Sequence, residues 1–291
     1  MRKPIDVITS AYLLLAAGLA AAWHARLPDA FWLAPLLLAS AVAVLFLPPY
    51  LRRTGNAFAC FVAAGYPVVA FTFLYLGTSL FNAASPIPSL DPWLAGIDDN
   101  LFGGSLCDRF SAAYPHPVFA EIMAFFYFSY YLMIPGLGLL LWFRVRPLFD
   151  SFVFTTALCF YFFYLVFSLF PSAGPQFHLR GGALHWEGYL FGPLLTTILQ
   201  NVEVPTGAFP SSHVGVALIA TCFAWRTSRG LGGLFTVLCT GLSLAILYGG
   251  PHYFLDLPCG LAVGAFFYCA APRVAVALTK RLDEEPGSML T

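Results

Sequence analysis

Charge is what this chain has least of: 14 Lys and Arg with 14 Asp and Glu make up only 10% of its 291 residues. A water-soluble domain of this length carries roughly a quarter charged residues, so a soluble enzyme or a solvated binding module is excluded. Net charge is zero, and no nucleic-acid partner is expected. Internal repeats and low-complexity segments are also lacking. The seven cysteines include no C-x-x-C pair and no metal-ligand spacing. Cys60, Cys159, Cys222, Cys239 and Cys269 fall inside apolar runs, where cysteine ordinarily serves as a small apolar residue. Cys107 and Cys259 could meet on one side of a membrane, but nothing in their spacing demands a disulfide.

What is present instead is apolar: 59% of the residues are hydrophobic. Runs of about 20 such residues mark membrane spans. Eight candidates are found, near 7–24, 30–48, 57–80, 118–143, 148–170, 211–226, 231–248 and 254–279. The expected fold is an all-α integral membrane protein with about eight transmembrane helices. If the N-terminus is cytoplasmic, eleven Lys and Arg lie inside and three, Arg26, Arg109 and Arg180, lie outside. That distribution satisfies the positive-inside rule at every loop. Both termini are then cytoplasmic, and a bacterial inner (plasma) membrane is the expected location. Arg2-Lys3, an apolar core and "AAAWHA" also fit a secretory signal peptide, whose removal would leave the remaining orientation unchanged.

Two long segments lie outside the spans, 81–117 and 171–210. In "LDPWLAGIDDNLFGGS", Leu90, Trp93, Leu94, Ile97 and Leu101 share one helical face, which predicts a short amphipathic helix lying in the interface. The Asp98-Asp99 pair raises a metal site, but no His or further carboxylate accompanies it at ligand spacing. A solvated polar face is the simpler reading.

"GAFPSSHV", residues 207–214, sets two hydroxyls and an imidazole at the mouth of an apolar helix. Pro210 suits the first turn of that helix. The N–H groups of Ser211, Ser212 and His213 would then be free, an arrangement that binds phosphate. Alternatively Ser211 or Ser212 only caps the helix. "YGGPHYFLDLPCG", residues 248–260, places His252 and Asp256 four apart on one helical face. A carboxylate a turn inside an apolar helix needs a partner, so the pair either orients His252 for chemistry or only pins the helix. Two crossings separate His213 from His252, so they share one side of the membrane in either orientation. A nucleophile with its orienter, a general acid and an oxyanion cradle can thus meet there.

"PSSH" followed about 40 residues later by "H-x-x-x-D" resembles the second and third motifs of the type 2 phosphatidic acid phosphatase superfamily. The resemblance runs from about Ala57 to Lys280. It implies two additional N-terminal spans (1–54), a six-span phosphatase-type core (55–281) and a disordered cytoplasmic tail (282–291). It further implies a membrane-embedded phosphatase or phosphotransferase that cleaves a lipid phosphate ester through a phosphohistidine on His252. Asp256 would orient His252, His213 would act as acid and then base, and Ser211 and Ser212 would bind the phosphoryl oxygens.

The superfamily's first motif, a Lys with an Arg, is missing here, and Ile246 stands where its third motif usually has an Arg. "PSAGPQFHLRG", "DPWLAGIDDNLFG" and "HYFLDL" look closer to the aureobasidin-sensitive inositol phosphorylceramide synthase branch, whose members move a phospho-headgroup between lipids. Arg180 becomes the leading phosphate ligand, with Arg109 the other candidate and His178 and His185 read as loop polar groups. No metal or other cofactor is expected; a lipid substrate and the bilayer are the expected partners. The Pro135-Gly136 and Gly249-Gly250-Pro251 breaks suggest helices loosened around a pocket open to lipid.

Rival readings are a non-enzymatic lipid transporter or scramblase, which would need no His–Asp pair, and an intramembrane serine protease, for which no Gly-x-Ser-Gly element occurs within a span. The orientation is testable. A reporter fused after Thr291 should behave as cytoplasmic, and a cysteine at Gly182 should label from outside intact cells; labelling only after permeabilisation would invert the topology.

Overall fold

Hydrocarbon offers no water to a peptide group, so an apolar run must satisfy its own N–H and C=O groups, and a helix does this within one segment. The computed structural model describes residues 2–27, 31–182, 186–202 and 204–284, and has no strand among the described residues. Its helices are α1 (Pro4–Ala22), α2 (Leu33–Arg53), α3 (Ala57–Ala84), α4 (Asp91–Phe102), α5 (Leu106–Ala113), α6 (Pro117–Arg144), α7 (Arg146–Leu169), α8 (Pro175–His178), α9 (Phe191–Val202), α10 (Ser212–Thr227), α11 (Arg229–Gly249) and α12 (Asp256–Glu284).

Seven of them, α1, α2, α3, α6, α7, α11 and α12, are long and apolar enough to cross a bilayer. The protein is an integral membrane protein. The eighth expected span forms α10, which has only 16 residues and so measures about 24 Å, short of the roughly 30 Å hydrocarbon core. It starts late because the chain before it is used in loop contacts: Ala208 N–H donates to Ser172 O, and Ser211 N–H to Asp256 O. Pro210 therefore precedes the helix instead of occupying its first turn. Burial of Val214, Val216, Ala217, Ile219, Ala220 and Phe223 covers α10 nearly all round, as expected of a helix apolar on every face.

The packing of α10 on α12 is unusually close. A β-carbon at Gly260 would overlap the Ser211 carbonyl, one at Gly264 the Gly215 carbonyl, and one at Gly215 would lie 2.7 Å from the Gly260 carbonyl. Small residues let membrane helices approach backbone to backbone in this way. The crossing brings the start of α10 beside the start of α12, where His213 and Asp256 stand.

α1 is built into the bundle. Its Asp6 is fully buried and receives both terminal nitrogens of Arg52 from α2, at 2.6 and 2.9 Å. Thr9 Oγ1 lies 2.8 Å from the Tyr161 hydroxyl of α7, and Tyr12 stacks on Tyr161.

Three expectations need correction. The buried face of α4 carries Asp91, Leu94 and Asp98, while Trp93 and Leu101 point outward; the carboxylates are drawn inward by loop N–H groups. α6 runs unbroken through Pro135, although α11 does stop at Gly249–Gly250. α12 continues to Glu284, into the segment expected to be tail, with Arg281 in its last turn favouring the helix C-terminus; residues 285–291 lie outside the described residues. All seven cysteines, Cys107 and Cys259 included, are free thiols.

Gly260→Ala should cost about 1–3 kcal/mol by overpacking and lower the melting temperature of the purified protein in detergent. Gly230→Ala, with open space beyond its α-carbon, should not. Equal melting of the two variants would remove the close crossing as a constraint.

Candidate active site

His252 sits in the loop between α11 and α12, 3% exposed, beside a fully buried Asp256. Its Nδ1 faces two acceptors, Ala208 O at 2.7 Å and Asp256 Oδ2 at 3.1 Å. Nδ1 must therefore carry the proton in the neutral ring, which leaves the lone pair on Nε2. Burial pushes the imidazolium down to about 4, against the raising pull of the Ala208 carbonyl. A neutral imidazole with a bare Nε2 is the nucleophilic form.

Nε2 lies 3.1 Å from Ser211 Oγ and 3.2 Å from His213 Nδ1. His213 packs between the rings of Tyr127 and Tyr130 on α6, and its Nε2 is 3.4 Å from the Tyr127 hydroxyl. The structure thus brings Ser211, His213, His252 and Asp256 into one cluster. Asp256 Oδ2 also accepts the Tyr253 N–H at 2.8 Å, while Oδ1 is buried with no hydrogen-bond partner among the described residues. Its charge is met mainly on the His252 side, which suits it to balance a cationic imidazole.

Ser211 is the residue before the first turn of α10, yet its hydroxyl turns to His252 and makes no cap bond. Because Ser211 N–H is taken by Asp256 O, the free amides are not the trio expected from the sequence. Among the described residues they are those of Ser212, His213 and Val214, which the geometry of a helix start leaves without intrahelical acceptors. The positive end of α10 thus opens directly beside the two imidazoles, a setting for an anion. Ser212, the first residue of α10, is buried there.

The His252 loop is braced by α4, by α8 and by the segment just before α8. Asp91, at the start of α4, accepts Ala173 N–H at 2.8 Å, Gly174 N–H at 2.9 Å and the Tyr253 hydroxyl at 3.0 Å. Burial, then Asp91, push the Tyr253 phenol up, so it stays a donor. Asp98 accepts Phe254 N–H at 3.1 Å, and burial pushes its carboxyl up against the pull of the Phe254 and Leu106 amides. Gly174, at φ 86°, passes so close to Pro251 that a β-carbon would overlap the Pro251 carbonyl. Gln176 N–H donates to Gly250 O at 2.8 Å. Glu121 on α6 accepts the N–H groups of residues 189 to 192 at 2.8–3.1 Å, fixing the start of α9.

Arg180 stands beside this loop but is not free. Its Nε and Nη2 donate to Asp108 Oδ1 at 2.9 and 2.5 Å, and Nη1 to Gly249 O at 3.2 Å. Burial alone would raise the Asp108 carboxyl; the bonds from Arg180 and Ser105 outweigh it and hold the group below the usual carboxylate range. Arg109 curls over Gly103 and Gly104 and donates to Phe102 O, away from the histidines. His178 is exposed at the end of α8, and His185 lies outside the described residues.

Sequence reasoning missed Tyr127, Asp91, Asp108 and Glu121, and it read Asp98 as part of a solvated polar face, whereas Asp98 is buried against the Phe254 N–H. Asp91 stood in a segment singled out for its apolar spacing, and only its placement before a loop that needs acceptors could have marked it. Tyr127 is one of many aromatics in "AFFYFSYYLM" and carried no signal.

Comparison with the curated proteins and with solved structures finds no match. Among protein families, the PAP2 superfamily matches residues 92–270. That segment runs from α4 into α12 and contains all of Ser211, His213, His252 and Asp256. With more than half of its length matched and the histidine cluster inside the matched segment, the chain belongs to the PAP2 superfamily.

Proposed function

We propose that the protein, a phosphatase-type lipid phosphoesterase by its family, works through a phosphohistidine on His252 and hands the phosphoryl group to a lipid hydroxyl. The observation that carries this reading is the pair of acceptors at His252 Nδ1, which leaves the Nε2 lone pair facing Ser211 Oγ and His213 Nδ1 at the start of α10.

In the first step the Nε2 lone pair attacks phosphorus as the ester P–O bond breaks. Binding of the anionic phosphate protonates His213, and when phosphorus takes the place of its 3.2 Å contact with Nε2 the Nδ1 proton of the imidazolium turns toward the leaving oxygen, leaving His213 neutral. The amides of Ser212, His213 and Val214, with the Ser211 and Ser212 hydroxyls, receive the charge that develops on the phosphoryl oxygens. Asp256 balances the cationic ring of the phosphohistidine. In the second step His213 takes the proton of the acceptor hydroxyl, whose oxygen attacks phosphorus and breaks the P–N bond.

Near-complete burial of His252, Ser211 and Asp256 limits water at the site and supports transfer to a lipid, as in an inositol phosphorylceramide synthase-like enzyme, over hydrolysis. The basic residues support an outward-facing site in an inner membrane, with both termini cytoplasmic. A lipid transporter or scramblase would release no headgroup in detergent, so an assay on purified protein separates the classes.

Arg180 serves the phosphate after exchanging its Asp108 partner for substrate. Arg180→Ala should cost roughly 2–4 kcal/mol of transition-state stabilisation, read as kcat/KM. Arg180→Lys should recover only part, because a point charge cannot replace a bidentate fork. Near-normal turnover by Arg180→Ala would leave the α10 amides as the sole cradle.

The histidines separate by leaving group. His252→Ala should abolish turnover of every substrate and the acid-labile phosphoprotein trapped by rapid quench. His213→Ala should lose most with a natural lipid ester and retain measurably more of the first-step rate with an activated aryl phosphate, whose leaving group needs no proton. Equal losses on both substrates would overturn the assigned roles, and full activity in either variant would remove the mechanism.

A further inference from the structure

The far end of the bundle holds a cavity about 700 Å³ in volume, bordered by residues of α1, α2, α3, α7, α10 and α12. Arg226 follows His213 by thirteen residues along α10, and Arg273 follows Asp256 by seventeen along α12. At 1.5 Å per residue both lie about 20–25 Å from the histidines, at the opposite membrane face. The reacting phosphate and this cavity are therefore separate sites.

Four cations line the cavity, Lys3, Arg52, Arg226 and Arg273, against one acid among the described lining residues, Asp150. Two of the four are already matched. Lys3 pairs with Asp150 at 2.7 Å, and Arg52 with the buried Asp6 at 2.6 Å. Arg226 and Arg273 have no acidic partner within ion-pair distance among the described residues. The Arg226 guanidinium rests 5.2 Å from the centre of the Phe223 ring, which also lines the cavity. Two uncompensated guanidinium groups thus face one space at a membrane surface. Ile5, Val153, Phe154 and Tyr268 supply an apolar wall beneath them.

A soluble anion would satisfy the cations but leave the apolar wall bare. An amphiphile with an anionic head uses both. Basic pockets between membrane helices have this composition where they hold acidic lipid head groups. We propose that the cavity binds the phosphate head and upper acyl chains of an anionic phospholipid drawn from the leaflet opposite the histidines. The lipid bridges α10 through Arg226 and α12 through Arg273, the two helices whose other ends carry His213 and Asp256. Its binding stabilises their crossing by mass action. This site stands apart from the proposed chemistry and is tested without an activity assay.

The test uses delipidated full-length protein in detergent, titrated with dioleoyl phosphatidylglycerol or dioleoyl phosphatidylcholine. Bound lipid is counted by native mass spectrometry, and melting is followed in parallel. Phosphatidylglycerol should bind and raise the melting temperature of the wild type, and phosphatidylcholine should do neither. The double variant Arg226→Gln/Arg273→Gln should bind phosphatidylglycerol about 10–30-fold more weakly. Its lipid-free melting should be unchanged, because neither arginine has an acidic partner to abandon. Ser151→Glu, which adds negative charge to an exposed wall position, should weaken binding as well and decides the matter if the double variant folds poorly. Unchanged affinity in Ser151→Glu and the double variant, or equal uptake of the two lipids, would overturn the proposal. Displacement of phosphatidylglycerol by millimolar inorganic phosphate would overturn it too, by making the site one for a soluble anion.

Discussion

Two helices can meet through their backbones only where neither carries a side chain, and that condition governs this molecule. Gly215 on α10 with Gly260 and Gly264 on α12 provide it. The contact sets where Ser211 and His213 stand relative to Asp256, and through Asp256 where His252 stands. Larger residues at these points would push the helices apart by more than an ångström, and the 3.1–3.2 Å contacts at His252 Nε2 would be lost. Helix packing and the candidate chemistry therefore rest on the same three residues.

A second constraint comes from the scarcity of charge. Loop peptide groups held at the edge of a bilayer need acceptors, and the chain assigns them carboxylates. Asp91 and Asp98 hold the loops on either side of His252, Asp256 takes Tyr253 N–H as well as the imidazole, and Glu121 gathers four consecutive amides. Each of these acids fixes backbone that regular secondary structure leaves unpaired. The His252 loop is held at several points as a result, and the placement of its imidazole depends on them.

The helices were legible in the sequence because hydrocarbon imposes one solution on any long apolar run. The meeting of "PSSH" with "H-x-x-x-D" was legible for a different reason: the number of crossings between them fixes the membrane side on which both lie. Other features depend on distant pairings that no local pattern records. Arg180 finds Asp108 across 72 positions of sequence, so its engagement with a carboxylate could not be read from its loop. Asp91 and Asp98 turn inward beside Leu94 because these acids answer amides some 80 to 160 residues away. Tyr127 and Tyr130 were hidden by abundance, being two aromatics among many. The true start of α10 depended on contacts made by residues 208–211, which apolar periodicity does not register.

The shortness of α10 has a consequence for how a substrate arrives. A helix some 6 Å shorter than the hydrocarbon slab, with Arg226 in its last turn at one surface, must have its other end sunk beneath the opposite surface. The imidazoles of His213 and His252 would then lie below the level of a lipid's solvated headgroup. A lipid can present its ester bond there while its chains stay in the leaflet, sliding in sideways between helices instead of being lifted out. A water-borne phosphate ester, with no chains to carry it down, would be disfavoured at such a depth.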